Sequence, residues 1–429
     1  MSPRSSTRVR KAIERLADRF QRGFPERLAG PRRIGREAEF PLVRPDGRAG
    51  DALGLLQTLG AMEGARVTYD DPVRRSLVVR VDLGDTGYEV EVGRATVEAV
   101  LPPARDLTEL EAISARALPR LIETAAASGM FLLGYGIQPR TPKQPALMTP
   151  KRRYLTLYRA IGRPWLHFAT TASDQVQVDI ARAELVDGIN MMNLLSAPII
   201  ALSANSSVYG GRVGRYCSGR EGLLGALGAG RHGMTPRRFA TVEEFIEFIS
   251  GQTCYMLPRD RGFAAYRRPF TSYLAMHGAD LRAYLWHEHY TWNSARPRFQ
   301  NATIEVRPAC QQPPDEPLAA AALILGLVEA MTDAWTFLRD RLGPDPWPVM
   351  HAYRRAVIRD GLRAPEPARG LLFGLVDLAA GALRRRGSGE ERYLHPIHDR
   401  LARRRLPADR AASHFRHGGI EALIENFKL

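Results

Sequence analysis

Four short stretches of this sequence alternate acidic or carboxamide side chains with apolar ones: GREAEF, YEVEV, QVQVD and TIEVR. Successive side chains of a strand point to opposite faces, so positions i, i+2 and i+4 share a face. Glu37 with Glu39, Glu89 with Glu91, Gln175 with Gln177 and Asp179, and Glu305 with Arg307 are therefore same-face sets. Glu98, in ATVEAV, adds another carboxylate. The opposite faces are largely apolar: Ala38 and Phe40, Val90 and Val92, Val176 and Val178, Ile304 and Val306. A period of two with one apolar face calls for antiparallel strands packed on a core from one side only.

Taken one strand at a time, the polar face reads as a solvated outer surface. Taken together, the four do not. Glu is depleted in strands, and carboxylates crowded on one sheet face repel one another unless something neutralises them. Mg²⁺ is suited to this, because it prefers carboxylate oxygens and commonly bridges them to substrate phosphates. Beside Arg307, such a face suits phosphoryl transfer, where catalysis is mostly positioning and charge neutralisation.

The rest of the chain frames these strands. Val9, Ile13, Leu16 and Phe20 recur at helical spacing and predict an amphipathic opening helix. Helices are expected over 52–60, over 107–128 with Asp106 as N-cap, over 154–161 and over 242–250. Further strands are expected over 66–69, 76–82, 96–101 and 130–135, and a turn at PRF before the strand 302–307. The middle section otherwise reads as helices and loops, and nothing after the loop QQPPDEP reads as a strand. The whole, 1–429, is predicted to be a single α+β catalytic unit, with every sheet strand in 1–310 and a helical portion over 311–429.

Several classes are disfavoured. The longest apolar stretch, 318–328, is 11 residues, short of the ~18 a membrane span needs. Three cysteines without CxxC spacing give no disulfide framework and point to a reducing, cytoplasmic compartment. The net charge of +15 suits an anionic ligand, but no zinc-finger spacing or aromatic–basic interleaving accompanies it, so nucleic acid ranks low. The Gly-rich segment 209–214 matches neither a P-loop nor a dinucleotide fingerprint. Arg220 and Lys151-Arg152-Arg153 are candidate anion ligands, His287 and His289 form a weak pair, and Cys310 reads as a small buried residue.

The motifs, in order, resemble those of the glutamate–cysteine ligase family, plant and proteobacterial type. IGREAEF is similar to its first strand, G-x-E-x-E-x-F. YEVEVGRATVEAVLPP resembles its paired acidic strands, with Glu91 and Glu98 seven apart. QPRTPKQPALMTPKRRYLTLYRAIG, TTASDQVQVDI, APIIALSANSSVYGGRVGRYCSGR, RHGMTPRRF and HEHYTWNSARPRFQNATIEVRPA resemble later blocks, and GALRRRG and LPADR have counterparts too. The chain departs from the pattern after the last strand, where Arg307-Pro-Ala-Cys-Gln-Gln replaces Arg-Gly-Ala-Asp-Gly-Gly. It departs again at Gln177, where the family has Asn, and at HYTWN, where the family has H-L-T-T.

The resemblance implies an antiparallel funnel or saddle flanked by helices, glutamine-synthetase-like, that holds ATP and Mg²⁺. It implies phosphorylation of a side-chain carboxylate, the γ-carboxylate of glutamate in the type reaction, and attack on the acyl phosphate by the amine of cysteine. Carried over by position, Glu37, Glu39, Glu91, Glu98, Gln175 and Glu305 match metal positions. Arg307, Gln177 and Lys151 match the nucleotide neighbourhood, while Arg220, His289 and Arg296 match the amino-acid side. Glu37, Glu305 and Arg307 are the expected catalytic residues. The departures fall beside the substrate and leave the metal side intact, so the amine is open: cysteine, or another amino acid or peptide. A monomer or homodimer working on small molecules, away from membranes, is expected.

Overall fold

The computed structural model describes the backbone of residues 3–259 and 262–429, with side chains from Ser6 onward. Its centre is an antiparallel sheet of nine strands. These are β1 (Ile34–Val43), β2 (Arg66–Tyr69), β3 (Val78–Leu83), β4 (Thr86–Val90), β5 (Thr96–Ala104), β6 (Phe131–Leu132) and β7 (Asp174–Asp179), joined by Ala295–Arg298 and Thr303–Val306. From one edge the order is Ala295–Arg298, Thr303–Val306, β7, β1, β5, β4, β3, β2, with β6 beside the end of β1.

The register brings the acidic strands side by side. Glu39 lies opposite Glu98, which lies opposite Glu89 on its other flank. Glu37 lies opposite Gln175, and Glu305 sits between Gln177 and Arg296. On the reverse face Ala38, Phe40, Val90, Val176, Val178, Ile304 and Val306 are buried in the main core. Helices α1 (Pro3–Gln21), α2 (Ala52–Gly60) and α3 (Leu107–Ala127) contribute to that core, as do Leu185–Leu194 and Ala319–Glu329, which is apolar up to Glu329. Asp106 caps α3 as expected, accepting the Glu109 N–H at 2.8 Å. Gly326 lets Ala319–Glu329 approach Leu371–Arg386 closely, since a Cβ there would come within 2.8 Å of Ala379.

Three expectations are corrected. Val92 does not share the apolar face with Val90: β4 ends at Val90, the turn through Gly93 breaks the alternation, and Val92 packs in a second hydrophobic cluster. The middle section contains a hairpin, Thr253–Arg259 with Gly262–Pro269. The PRF segment is not simply a turn, because Arg296, Pro297 and Arg298 belong to the edge strand Ala295–Arg298. An edge tolerates Pro297, which has no N–H to give the ladder. Among the described residues, the chain beyond Val306 is helical apart from isolated bridges, and no single helix is long and apolar enough to cross a membrane.

The apolar face hides one ion pair. Arg36 and Asp174 point into it, with side chains 1% and 0% exposed, and meet at 2.7 Å. Arg36 also donates to the Pro317 carbonyl at 2.8 Å, tying the sheet to the start of the C-terminal helices. Replacing one partner leaves the other buried and unpaired, which costs about 3–5 kcal/mol. Asp174→Ala is expected to lower unfolding stability by that amount in urea denaturation, and Arg36→Met/Asp174→Leu by much less.

Candidate active site

The polar face of the sheet is roofed by α4 (Arg152–Ile161), the 3₁₀ turn Arg163–His167 and the segment around Tyr290 and Trp292, and a cavity of ≈ 270 Å³ lies between. The roof is aromatic. Trp165 sits with its ring centroid 5.8 Å from Tyr154, 5.0 Å from Phe168 and 5.6 Å from Trp292, and all four rings line the cavity. The sequence reading missed this wall. Its signal, aromatics scattered over 154–168 and 290–292, has no period that marks a common surface.

On the floor the charges divide into two halves. Glu39, Glu89, Glu91 and Glu98 form one, with Glu37 beside them. Glu39 accepts from the Ser173 N–H at 2.6 Å and from the Gln175 amide at 2.7 Å. Even so, burial and the nearby Glu91 push its carboxyl up to about 7. Burial and Glu305 push Glu37 to about 7. Burial, with Glu37, Glu91, Glu89 and Glu39 around it, raises Glu98 well above the usual carboxylate range. Arg80 on β3, another residue the sequence reading did not single out, joins Glu89 at 2.6 Å.

The other half is cationic: Arg153, Arg220, Arg296, Arg298 and Arg307 all line the cavity. Glu305, 1% exposed, is gripped by three of them. Arg296 meets it through two nitrogens at 3.1 Å, Arg298 lies 3.1 Å away, and Arg307 donates to it and to Gln175. Despite its burial, these guanidiniums hold Glu305 well below the usual carboxylate range. The Arg220 guanidinium pairs with Glu221 at 2.6 Å, yet its Nε has no partner.

The residues singled out from sequence thus come together unequally. Glu37, Glu39, Glu91, Glu98, Gln175, Arg220, His289, Arg296 and Arg307 line one cavity. Gln177 is next to it but saturated, donating to Glu37 at 2.7 Å and accepting from Asn301 and Thr303 at 2.9 and 3.0 Å. Lys151 does not line the cavity; its ammonium donates to the Val90 carbonyl at 2.5 Å. Asp179 accepts from the Arg33 N–H at the end of β7, and Arg152 pairs with Asp70 on the surface. His287 is buried with its ring on the Ile249 carbonyl at 2.7 Å, so the two histidines form no pair of ligands. Burial and Arg296, Arg298 and Arg153 keep His289 neutral. Cys310 is buried, as expected.

The acidic half fits a hard divalent cation: its donors are carboxylate and carboxamide oxygens, and three carboxyls are raised by burial and by neighbouring carboxylates. Among the described residues no three His, Cys, Asp or Glu side chains form a preformed cage. Mg²⁺ does not demand one, since one or two carboxylates plus substrate phosphates usually suffice. Glu305, committed to three arginines, is the poorest fit of the carboxylates.

Comparison with known proteins gives the family and the fold. Residues 33–426 match Glutamate-cysteine ligase family 2 (GCS2). The chain belongs to that family. It is the family its motif order resembles. No significant match to a curated protein was found. Among solved structures, the fold is similar to glutamate–cysteine ligase from Francisella tularensis in complex with AMP, at TM-score 0.52 and 11% identity over 94% of this chain and 88% of that one. It is also similar to a bifunctional glutathione synthetase from Pasteurella multocida, at TM-score 0.50 and 10% identity over 96% of this chain. The chain spans about half, 51%, of that larger protein.

The raised carboxyls make cation binding pH-dependent. Glu37 and Glu39 hold protons below about 7, and a cation must displace them. The stabilisation by Mg²⁺ is therefore expected to be small at pH 5.5 and to grow as pH rises through about 7. The check is the shift in Tm between EDTA and millimolar Mg²⁺ across that range, in which buried histidines cancel because they titrate in both samples. Glu39→Gln/Glu98→Gln should flatten the profile.

Proposed function

We propose that this chain is an ATP-dependent carboxylate–amine ligase that activates the γ-carboxylate of glutamate as an acyl phosphate and joins it to the amine of cysteine or another amino acid, releasing ADP and phosphate. The observation that carries this reading is the split floor of the cavity, uncompensated carboxylates on one side and clustered guanidiniums on the other. A phosphate chain with its divalent ions complements both halves at once. The family supports the reaction class, and the open acceptor reflects the changes after Arg307. Gln311 and Gln312 there are buried and do not line the cavity: the Gln311 side-chain oxygen accepts from the Gln312 N–H, and the Gln312 amide donates to the Cys310 carbonyl.

In this mechanism Glu37, Glu39, Glu91, Glu98 and Gln175 would hold Mg²⁺. When bound, the metal supplies charge neutralisation and Lewis acidity at phosphoryl oxygens. Arg307, Arg296 and Arg298 stand ready for the negative charge that spreads over the transferring phosphoryl group. Glu305 is a positioning residue that keeps their three side chains fanned across one spot. Arg220, with its free Nε, faces a carboxylate of the amino-acid substrate. The Tyr154–Trp165–Phe168–Trp292 roof keeps water from the acyl phosphate until the amine arrives. No enzyme nucleophile is required. The sheet plays the part that a glutamine-synthetase-like funnel implies, and three buried, unpaired cysteines suit a reducing cytoplasm.

ADP release is expected with glutamate plus an amino-acid acceptor and not with either alone. If no pair from a panel of twenty amino acids releases ADP, the reading fails. Arg307→Ala is expected to lower kcat about 10³-fold and Glu98→Gln about 10²–10³-fold, each with Tm kept within a few degrees.

A further inference from the structure

Behind Arg220, outside the cavity, lies a buried charge cluster that phosphoryl transfer does not use. Arg220 and Glu221 belong to the short helix Gly219–Leu224, and Arg354 reaches them from the helix Trp347–Asp360. The Glu221 carboxylate accepts from Arg220 on Oε1 at 2.6 Å and from Arg354 on Oε2, and His232 Nε2 lies 3.7 Å from Oε1. The Glu221 side chain is 3% exposed, and of these four residues only Arg220 lines the cavity. Burial opposes the charge of Glu221, yet His232, Arg354 and Arg220 hold its carboxyl well below the usual carboxylate range. The backbone makes room for this arrangement. At Gly233, where φ is +83°, a Cβ would come within 2.8 Å of the Arg354 guanidinium.

Such a cluster is a poor stabiliser, since apolar side chains of similar volume often serve a fold as well or better. Its value lies in where it points. Arg220 is near enough to Glu39 to favour the ionised form of that carboxyl. Released from Glu221, a long and flexible arginine would pair with Glu39 and neutralise part of the acidic half. Two guanidiniums also share one carboxylate, so the cluster keeps a net positive charge, and the buried Arg220 Nε stays without a partner. From the shared carboxylate and the cavity-facing arginine, we propose that Glu221 and Arg354 are positioning residues for substrate recognition. Glu221 holds the Arg220 guanidinium off Glu39 and toward the cavity. Arg354 divides that carboxylate, which leaves Arg220 charge to offer a substrate carboxylate. The assignment rests on the ligase reading for the identity of that substrate. It also makes the helix Trp347–Asp360, far from the sheet strands in sequence, part of amino-acid recognition, and gives His232 and Gly233 of RHGMTP a role in supporting the site.

Two variants of the full chain separate positioning from scaffolding. Glu221→Gln/Arg354→Met removes a carboxylate and a guanidinium together, so Tm is expected to stay within a few degrees of wild type. Its KM for glutamate should rise about tenfold or more, with kcat kept within about threefold. The Mg²⁺ concentration for half-maximal rate should rise too, because Arg220 turns onto Glu39. Arg354→Met alone keeps Arg220 on Glu221, so glutamate KM should rise while the Mg²⁺ requirement does not. In crystals, Arg220 is expected on Glu39 in the double variant and on both Glu221 oxygens in Arg354→Met. Should the double variant not fold, Arg354→Met carries the test. An Arg220 guanidinium unmoved in the variants, an unchanged glutamate KM, or a loss of kcat that tracks a loss of Tm overturns the assignment. The two proposals fail separately. A wild-type chain that releases ADP from no pair rejects the ligase reading, and the variant crystal structures then decide the positioning by themselves. ADP release with glutamate KM unchanged in both variants keeps the ligase and rejects the positioning.

Discussion

Everything in this molecule turns on negative charge held against its own repulsion on one buried sheet face. Glu89, Glu98 and Glu39 stand in cross-strand register, where like charges destabilise a ladder. The fold tolerates them through strong packing on the reverse face and through partial compensation: Arg80 on Glu89, backbone and amide donors on Glu39. The compensation is incomplete: burial and neighbouring carboxylates keep the Glu39 and Glu98 carboxyls raised, so holding them ionised in the folded state costs stability.

The same floor shows the opposite solution a few ångströms along. Glu305 is at least as buried as Glu39, yet its carboxyl is depressed rather than raised, because Arg296, Arg298 and Arg307 converge on it. Burial disfavours charge in both cases, and the difference lies in the partners. One carboxylate thereby organises arginines, while others stay protonated to a higher pH. Their juxtaposition gives one antiparallel sheet face an acidic half and a cationic half.

Much of this was legible in the sequence. The alternation in GREAEF, YEVEV, QVQVD and TIEVR located the sheet and chose its polar face, since a period of two is a local property. The order of motifs identified the family. Where alternation was broken by a turn, as at Val92, the reading failed. For Lys151 the charge alone could not show that its ammonium donates to the Val90 carbonyl. The hairpin Thr253–Arg259 with Gly262–Pro269 went unseen because its apolar residues follow no clean period.

The sequence by itself determined that carboxylates and arginines would share one face of an antiparallel sheet, because side-chain direction in a strand follows from backbone geometry alone. Only the tertiary structure decided which carboxylates stay uncompensated, which one gathers arginines, and that Arg36 and Asp174 meet in the core. Those outcomes depend on register, on the aromatic roof supplied by residues far away in the chain, and on burial. Burial sets what a charge costs, and no local pattern encodes it.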